Sequence, residues 1–187
     1  MCSSDLAAVF MHVRDRIEAG AFDRQKIRLY VHPEHWDVWF WMIPFSNGLT
    51  SLGVVGPPEV LARHTGEPRE RLWKLIGEEP APKALLKTAE ATPRSGEIIG
   101  YAAAVKSLYG PGYALLGNAA EFLDPVFSSG VTIAMKSAHL AAGLIDREMR
   151  GETVDWEEEY EKPLMVGVET FRGFISCWYE GTLQEIG

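Results

Sequence analysis

Apolar and polar residues alternate over KIRLYVH, with Ile27, Leu29 and Val31 on one side and Lys26, Arg28, Tyr30 and His32 on the other. A period of two predicts a strand with one buried face, here the isoleucine–leucine–valine face. Residues 36–43, WDVWFWMI, are apolar on both faces and predict a central strand, or one lining a cavity. Pro44 ends it, because proline offers no donor to a sheet ladder. Beyond the turn at Asn47-Gly48, residues 49–55 (LTSLGVV) predict a second strand, so 36–55 reads as a hairpin-like pair. Residues 6–13, LAAVFMHV, fit a short helix or a buried strand, and periodicity does not separate the two.

Pro57-Pro58 opens a helical region, since a proline in the first helical turn loses no hydrogen bond. Two or three short helices reach about Thr88, and strand-like sequence returns from Glu97 to Tyr109. After the Gly110-Pro-Gly112 turn, Tyr113–Leu116 predicts a short buried strand. An alanine-rich helix then runs from about Ser129 to Met149, closed by Gly151. Two more helices are expected over 155–161 and 163–185, with the acidic run of 155–161 forming a solvated face and Phe171, Phe174, Trp178 and Tyr179 packing as core. The fold class is α+β, an antiparallel sheet joined to a helical C-terminal half.

Composition narrows the function. A net charge of −8 argues against nucleic acid and against an anionic membrane surface, both of which select basic faces. Two cysteines, Cys2 and Cys177, have no metal-like spacing and suggest a reduced, cytoplasmic compartment. No apolar run reaches the roughly 20 residues of a membrane helix, and residues 1–6 lack the basic and apolar regions of a signal peptide.

Candidate chemistry concentrates in GNAAEFLDPVFSSG, Gly117 to Gly130, between a predicted strand and a predicted helix. Gly117, Ala119 and Ala120 remove side-chain bulk, so that a planar ligand could approach the main chain. Ser128-Ser129-Gly130 presents a helix start, whose unpaired N–H groups and dipole favour an anion. A plain strand–helix turn with serine as N-cap fits the same residues.

This stretch resembles the second FAD-binding motif of flavin-dependent monooxygenases and halogenases, and Asp124-Pro-Val-Phe-Ser-Ser-Gly130 is similar to the halogenases in particular. Trp39-Phe-Trp41-Met-Ile43-Pro44 independently resembles the halogenase pattern Trp-x-Trp-x-Ile-Pro. Gly100-Tyr101 ahead of residues 108–116 resembles the usual lead-in to the flavin turn. The resemblance extends over roughly residues 7–186 and implies a fragment of a p-hydroxybenzoate-hydroxylase-like flavoprotein. Its parts would be a substrate-domain sheet with short helices (1–96), the second FAD motif (97–150) and a truncated helical region (151–187).

The resemblance further implies FAD as cofactor, contacted by Gly117, Asn118, Ala119, Ala120, Asp124, Pro125, Ser128 and Gly130. Asn118 stands where the family has an aspartate that accepts a hydrogen bond from the ribitol chain; its amide oxygen still accepts, but a charge-assisted bond becomes a neutral one. Halide is expected at the backbone amides of Ser129 and Gly130. The family turns reduced flavin, O2 and chloride or bromide into an oxidant that reaches an essential lysine by a tunnel. Trp39, Trp41, Ile43 and Pro44 would wall flavin from substrate. Phe127 occupies a substrate-pocket position where tryptophan-type halogenases carry glutamate, which points to a phenol or pyrrole, free or carrier-bound. The implied partners are this substrate, halide and a separate flavin reductase.

Two family features find no counterpart. No G-x-G-x-x-G follows a strand, and Lys83, Lys87 and Lys106 match no motif and read as surface charges. The family places both the fingerprint and the lysine ahead of the region matched here, so the isolated chain is expected to be inactive. An FAD-dependent monooxygenase, a geranylgeranyl-reductase-like oxidoreductase and a non-catalytic remnant domain are the alternatives. Other readings fare worse: His32 and His35 could form a metal pair but lack a third ligand at suitable spacing, and Ser107, Ser128 and Ser129 lack a hydrolase Gly-x-Ser-x-Gly context.

Overall fold

The computed structural model describes residues 6–101 and 103–183. The chain divides into two compact units, one ending at Tyr101 and the next reaching Leu183.

The first unit is a five-stranded antiparallel sheet in the order β2-β3-β4-β1-β5. Residues 6–13 resolve as a strand: β1 (Ala7–Arg14) lies between β4 (Leu49–Gly56) and β5 (Glu90–Ile99). Its alternate residues Ala7, Val9, Met11 and Val13 join Phe40, Met42, Leu52 and Val54 in one core. Three short helices, α1 (Pro58–Leu61), α2 (Pro68–Ile76) and α3 (Pro80–Leu85), each begin at a proline, and Leu61, Leu72, Leu75 and Ile76 pack on that core. The expected hairpin forms between β3 (Trp39–Pro44) and β4. Gly48 takes φ 82° at its turn, and the Asn47 amide oxygen accepts from the Leu49 N–H at 3.1 Å.

Strand β2 (Arg28–Val31) reverses the expected facing: Ile27 and Leu29 are 54% and 39% exposed, while His32 is buried and Tyr30 packs on the core. The reason is register. Tyr30 pairs with Phe40, on the core side of β3, and Leu29 pairs with Trp41, on the other. Strand β5 starts at Glu90, not Glu97. Its polar sequence hides the alternation, and Pro93 is tolerated because β5 is a sheet edge.

The turn end of the hairpin is tied by Asp15, which is buried. Its carboxylate accepts from the Thr50 hydroxyl, the Arg24 guanidinium and, at 3.3 Å, the Ile17 N–H. Burial pushes this carboxyl up, but the hydrogen bonds from Thr50 and Arg24 outweigh it and hold it below its ordinary value of 3.8. A depressed carboxyl adds stability above its unfolded pKa and loses it as pH falls through the folded value. Stability is therefore expected to fall as pH drops below about 4, less steeply in Asp15→Asn. Urea midpoints at stepped pH check this; equal slopes would contradict it.

The second unit contains two short ribbons, β6 (Ala103–Ala104) with β9 (Glu121–Phe122) and β7 (Tyr109–Gly110) with β8 (Tyr113–Ala114). Helix α4 (Gly130–Met149) buries Ile133, Ser137, Ala141 and Leu144. A wide helical turn at Glu157–Glu161 runs into α5 (Lys162–Tyr179). Tyr113 and Leu116 are 49% and 39% exposed, so the expected buried strand is a two-residue, surface one. Residues 155–161 are not all solvated: Tyr160 is 0% exposed beneath its acidic neighbours. Helix α5 stops at Tyr179 rather than 185, where Gly181 takes φ 80°. Of the late aromatics only Tyr179 is buried, and Phe174 is largely exposed. Among the described residues no helix is long and apolar enough to cross a membrane. Cys177 is a free, half-buried thiol; Cys2 lies outside the described residues, as does the segment read for a signal peptide, Leu6 excepted.

Candidate functional site

In the second unit, Leu116 is extended and Gly117 to Ala119 form a tight turn. Gly117 takes φ 53°, and a Cβ there would sit 3.0 Å from that of Ala134, so glycine lets the turn lie against α4. Its N–H donates to the Ser137 hydroxyl at 2.9 Å, and that hydroxyl donates to the Ala134 carbonyl at 3.0 Å. Ala120 is buried, while Asn118 and Ala119 face outward.

Asp124 is fully buried and caps a second tight turn, Pro125–Phe127, accepting from the Val126 N–H at 3.0 Å. Its other oxygen accepts from the Tyr179 hydroxyl of α5 at 3.0 Å. Ser128 then adopts the left-handed conformation, φ 51°, which turns the chain into α4. Ser129 occupies the N-cap position without a side-chain cap bond. The serine-capped turn expected as the plain alternative is therefore an aspartate-capped one, and the first N–H groups of α4 have no intrahelical acceptor.

Leu116, Gly117, Asn118, Phe122, Gly130, Val131 and Ala134 line an open groove of 480 Å³ at this helix start. A Cβ on Gly130 would project to within 3.8 Å of the Asn118 amide oxygen, so the glycine keeps that side of the groove clear. The donor set fits a flavin: an outward amide at 118, a bare backbone at 130 and a helix N-terminus. Phe127 is half-buried, its ring 5.9 Å from Phe174 and 6.1 Å from Trp178.

Three residues that hold this turn carry no motif. The Tyr160 phenol donates to the Leu115 carbonyl; burial pushes its pKa up, partly offset by a hydrogen bond with Ser137. Ser137 was visible only as a lone hydroxyl on the apolar face of α4. Tyr179 gave no polar signal.

In the first unit, Trp39, Trp41 and Ile43 project from the sheet face opposite the helices, with Pro44 closing the strand. Trp39 and Trp41 lie 6.0 Å apart at 50°, and the Trp41 indole donates to the Ser51 hydroxyl at 3.1 Å. His32 and His35 are 5.0 Å apart. The His32 Nε2 bonds Glu78 at 2.9 Å, and its Nδ1 accepts from the Glu34 N–H at 3.1 Å, so neither nitrogen is offered to a metal. Lys83, Lys87 and Lys106 are exposed, and Ser107 donates to the Tyr109 carbonyl at 2.6 Å.

The tryptophan halogenase family model matches residues 35–185. The chain belongs to the tryptophan halogenase family. A 1H-pyrrole-2-carbonyl-[peptidyl-carrier protein] chlorinase of Pseudomonas fluorescens is 28% identical over 145 residues, 76% of this chain and 32% of that protein. A solved flavoprotein/dehydrogenase from Cytophaga hutchinsonii is 40% identical with a TM-score of 0.88, over 96% of this chain and 43% of that one. The myxobacterial chondrochloren halogenase, an FAD-dependent halogenase, is 30% identical with a TM-score of 0.82, over 94% of this chain and 41% of that one. This halogenase-family chain thus spans about a third of the curated relative's length. Its α+β fold is that of a portion of these flavoproteins.

Proposed function

We propose that this chain is the portion of an FAD-dependent halogenase that contacts the flavin ring side and walls the aromatic substrate. The observation that carries the reading is the Asp124-capped turn, which delivers Ser128, Ser129 and Gly130 to the start of α4 beside an open groove. Asn118 and the backbone of Gly117 and Gly130 would hold FAD, with Ala119, Ala120, Pro125 and Ser128 shaping the approach. When bound, FAD supplies the activation of O2 that oxidises halide.

The chain's own part is electrostatic and steric. The N–H groups around Ser129 and Gly130 hold a chloride or bromide ion by the partial positive charge of the helix start. Of the wall residues, Trp41, Ile43 and Pro44 present apolar surface that would keep substrate apart from the flavin, and Trp39 is buried. Phe127, with Phe174 and Trp178 around it, offers no base, which suits a ring electron-rich enough to react without one. A phenol or a pyrrole, free or carrier-bound, is such a ring, and a separate reductase supplies reduced flavin.

Asn118→Asp is expected to tighten FAD binding about fivefold to tenfold, because a charged acceptor replaces a neutral one. A flavin-fluorescence titration checks this, and equal or weaker binding would count against Asn118 as the ribitol contact. A second reading, a flavin oxidoreductase or monooxygenase without halide chemistry, is favoured by the 40% identity to the flavoprotein/dehydrogenase. Product analysis separates the two: halogen in the product supports the first, and an oxidised, hydroxylated or reduced product without halogen the second.

A further inference from the structure

A separate cavity of the second unit, 610 Å³ in volume, lies between the β7–β8 hairpin and the last turns of α4, where Tyr109, Gly110, Tyr113, Ile145, Glu148 and Trp156 line it. It shares no lining residue with the groove at the start of α4, and the helix rise from Gly130 to Ile145 sets the two about 22 Å apart. Its wall is aromatic. The Tyr109 and Trp156 rings stack at 6.0 Å and 20°. The phenol end of Tyr113 folds back over Gly110, where a Cβ would lie 2.5 Å from its Cε1, so glycine lets the ring close over the hairpin. The rim is anionic. Glu148 lies in the last turn of α4, where the helix dipole adds partial negative charge, and one of its oxygens accepts from the Trp156 indole N–H at 2.9 Å. The neighbouring cations are turned elsewhere: Arg147 to Glu152 and Glu159, Arg150 to Asp146, and Lys162 to Glu157 and Glu158. Burial, then the charges of Glu157, Glu161 and Asp155, push the Tyr109 phenol above its ordinary 10.0, with Lys162 offsetting a part. The field of the acidic run therefore reaches this wall.

We propose that this cavity receives an arginine side chain presented by a partner polypeptide. A flat, weakly hydrated guanidinium stacks on aromatic faces and bonds a carboxylate in the same pose, which a compact ammonium does less well. Glu148 has a second oxygen for that bond, beside the aromatic wall. The acidic run selects a cation over a neutral planar group of the same shape. The cavity is larger than one guanidinium fills. Tyr113 and Ile145 of its lining are exposed, as is Met149, next in the chain to Glu148. Apolar surface at the rim suits residues that flank an arginine in a chain, and it adds nothing for a free guanidine. The net charge of −8 complements a basic partner and steers its approach. The inference does not rest on the halogenase reading, since no residue of the flavin groove or of the tryptophan wall takes part.

The test titrates acetyl-Leu-Arg-Leu-amide into the full chain and follows the Trp156 indole N–H resonance by NMR, assigned with Trp156→Phe. The resonance is expected to move, with the arginine peptide binding about tenfold tighter than its citrulline analogue, a neutral isostere. Against the lysine analogue the advantage is expected to be about threefold. Glu148→Gln keeps an acceptor for the indole N–H but removes the charge, and is expected to cut the arginine-over-citrulline preference about fivefold. Tyr113→Leu, at an exposed hairpin position, is expected to narrow the arginine-over-lysine preference instead, and serves if Glu148→Gln disturbs the helix end. Arginine and lysine peptides bound alike would reduce the site to general attraction by the acidic run and overturn the inference. A resonance that stays still, or a preference untouched by Glu148→Gln, would overturn it too. Acetylarginine amide bound as tightly as the tripeptide would assign the cavity to a small guanidine and overturn the polypeptide partner.

Discussion

Replacing Tyr160 with alanine is expected to destabilise the second unit by about 3–5 kcal/mol, the usual range for deleting a fully buried aromatic ring. Tyr160 is 0% exposed. Its ring meets Trp156 edge-on at 5.4 Å, and its hydroxyl holds the Leu115 carbonyl just ahead of the Gly117 turn. The alanine variant loses the ring volume and leaves that carbonyl without its donor. Tyr160→Phe removes only the donor and should cost about 1–2 kcal/mol. Urea denaturation of the three proteins checks the order. A Tyr160→Ala loss within about 1 kcal/mol would mean that the turn stands without this anchor.

Asp124→Ala is the second large effect, expected at about 2–4 kcal/mol, because it strands two buried donors at once. The Val126 N–H loses its cap and the Tyr179 hydroxyl loses its acceptor. Asp124→Asn keeps one acceptor oxygen and should recover about half of the loss. Since Asp124 fixes the turn that delivers Ser128, Ser129 and Gly130 to α4, the alanine variant should also weaken FAD binding more than its stability loss alone accounts for. Titration under conditions where both proteins are folded checks this; unchanged affinity would detach the turn from the flavin.

The elements legible in the sequence were those fixed by local signals. Asn47-Gly48 dictated the β3–β4 turn, Pro57-Pro58 opened the helical region, and Gly151 closed α4. The two motifs, 39–44 and 117–130, lay on the strand and the strand–helix turn that their spacing demanded. What failed to show was decided by distant partners. The facing of β2 followed from the pairing of Tyr30 with Phe40, overriding an alternation that pointed the other way. β5 is an edge strand whose polar sequence borrows its conformation from β1. Tyr160, Ser137 and Tyr179 hold the site through bonds spanning 45, 20 and 55 residues, beyond the reach of any local pattern.

Family membership leaves the chemistry to be measured, and product identity measures it most directly. The protein, expressed from its native reading frame, is supplied with FAD, a flavin reductase, NADH, O2 and bromide, together with a phenol and a pyrrole-2-carboxamide probe. A product carrying the isotopic doublet of bromine is expected, formed only when bromide is present. A probe returned hydroxylated without bromine, or unchanged while FAD is bound and reduced, would contradict the halogenase reading.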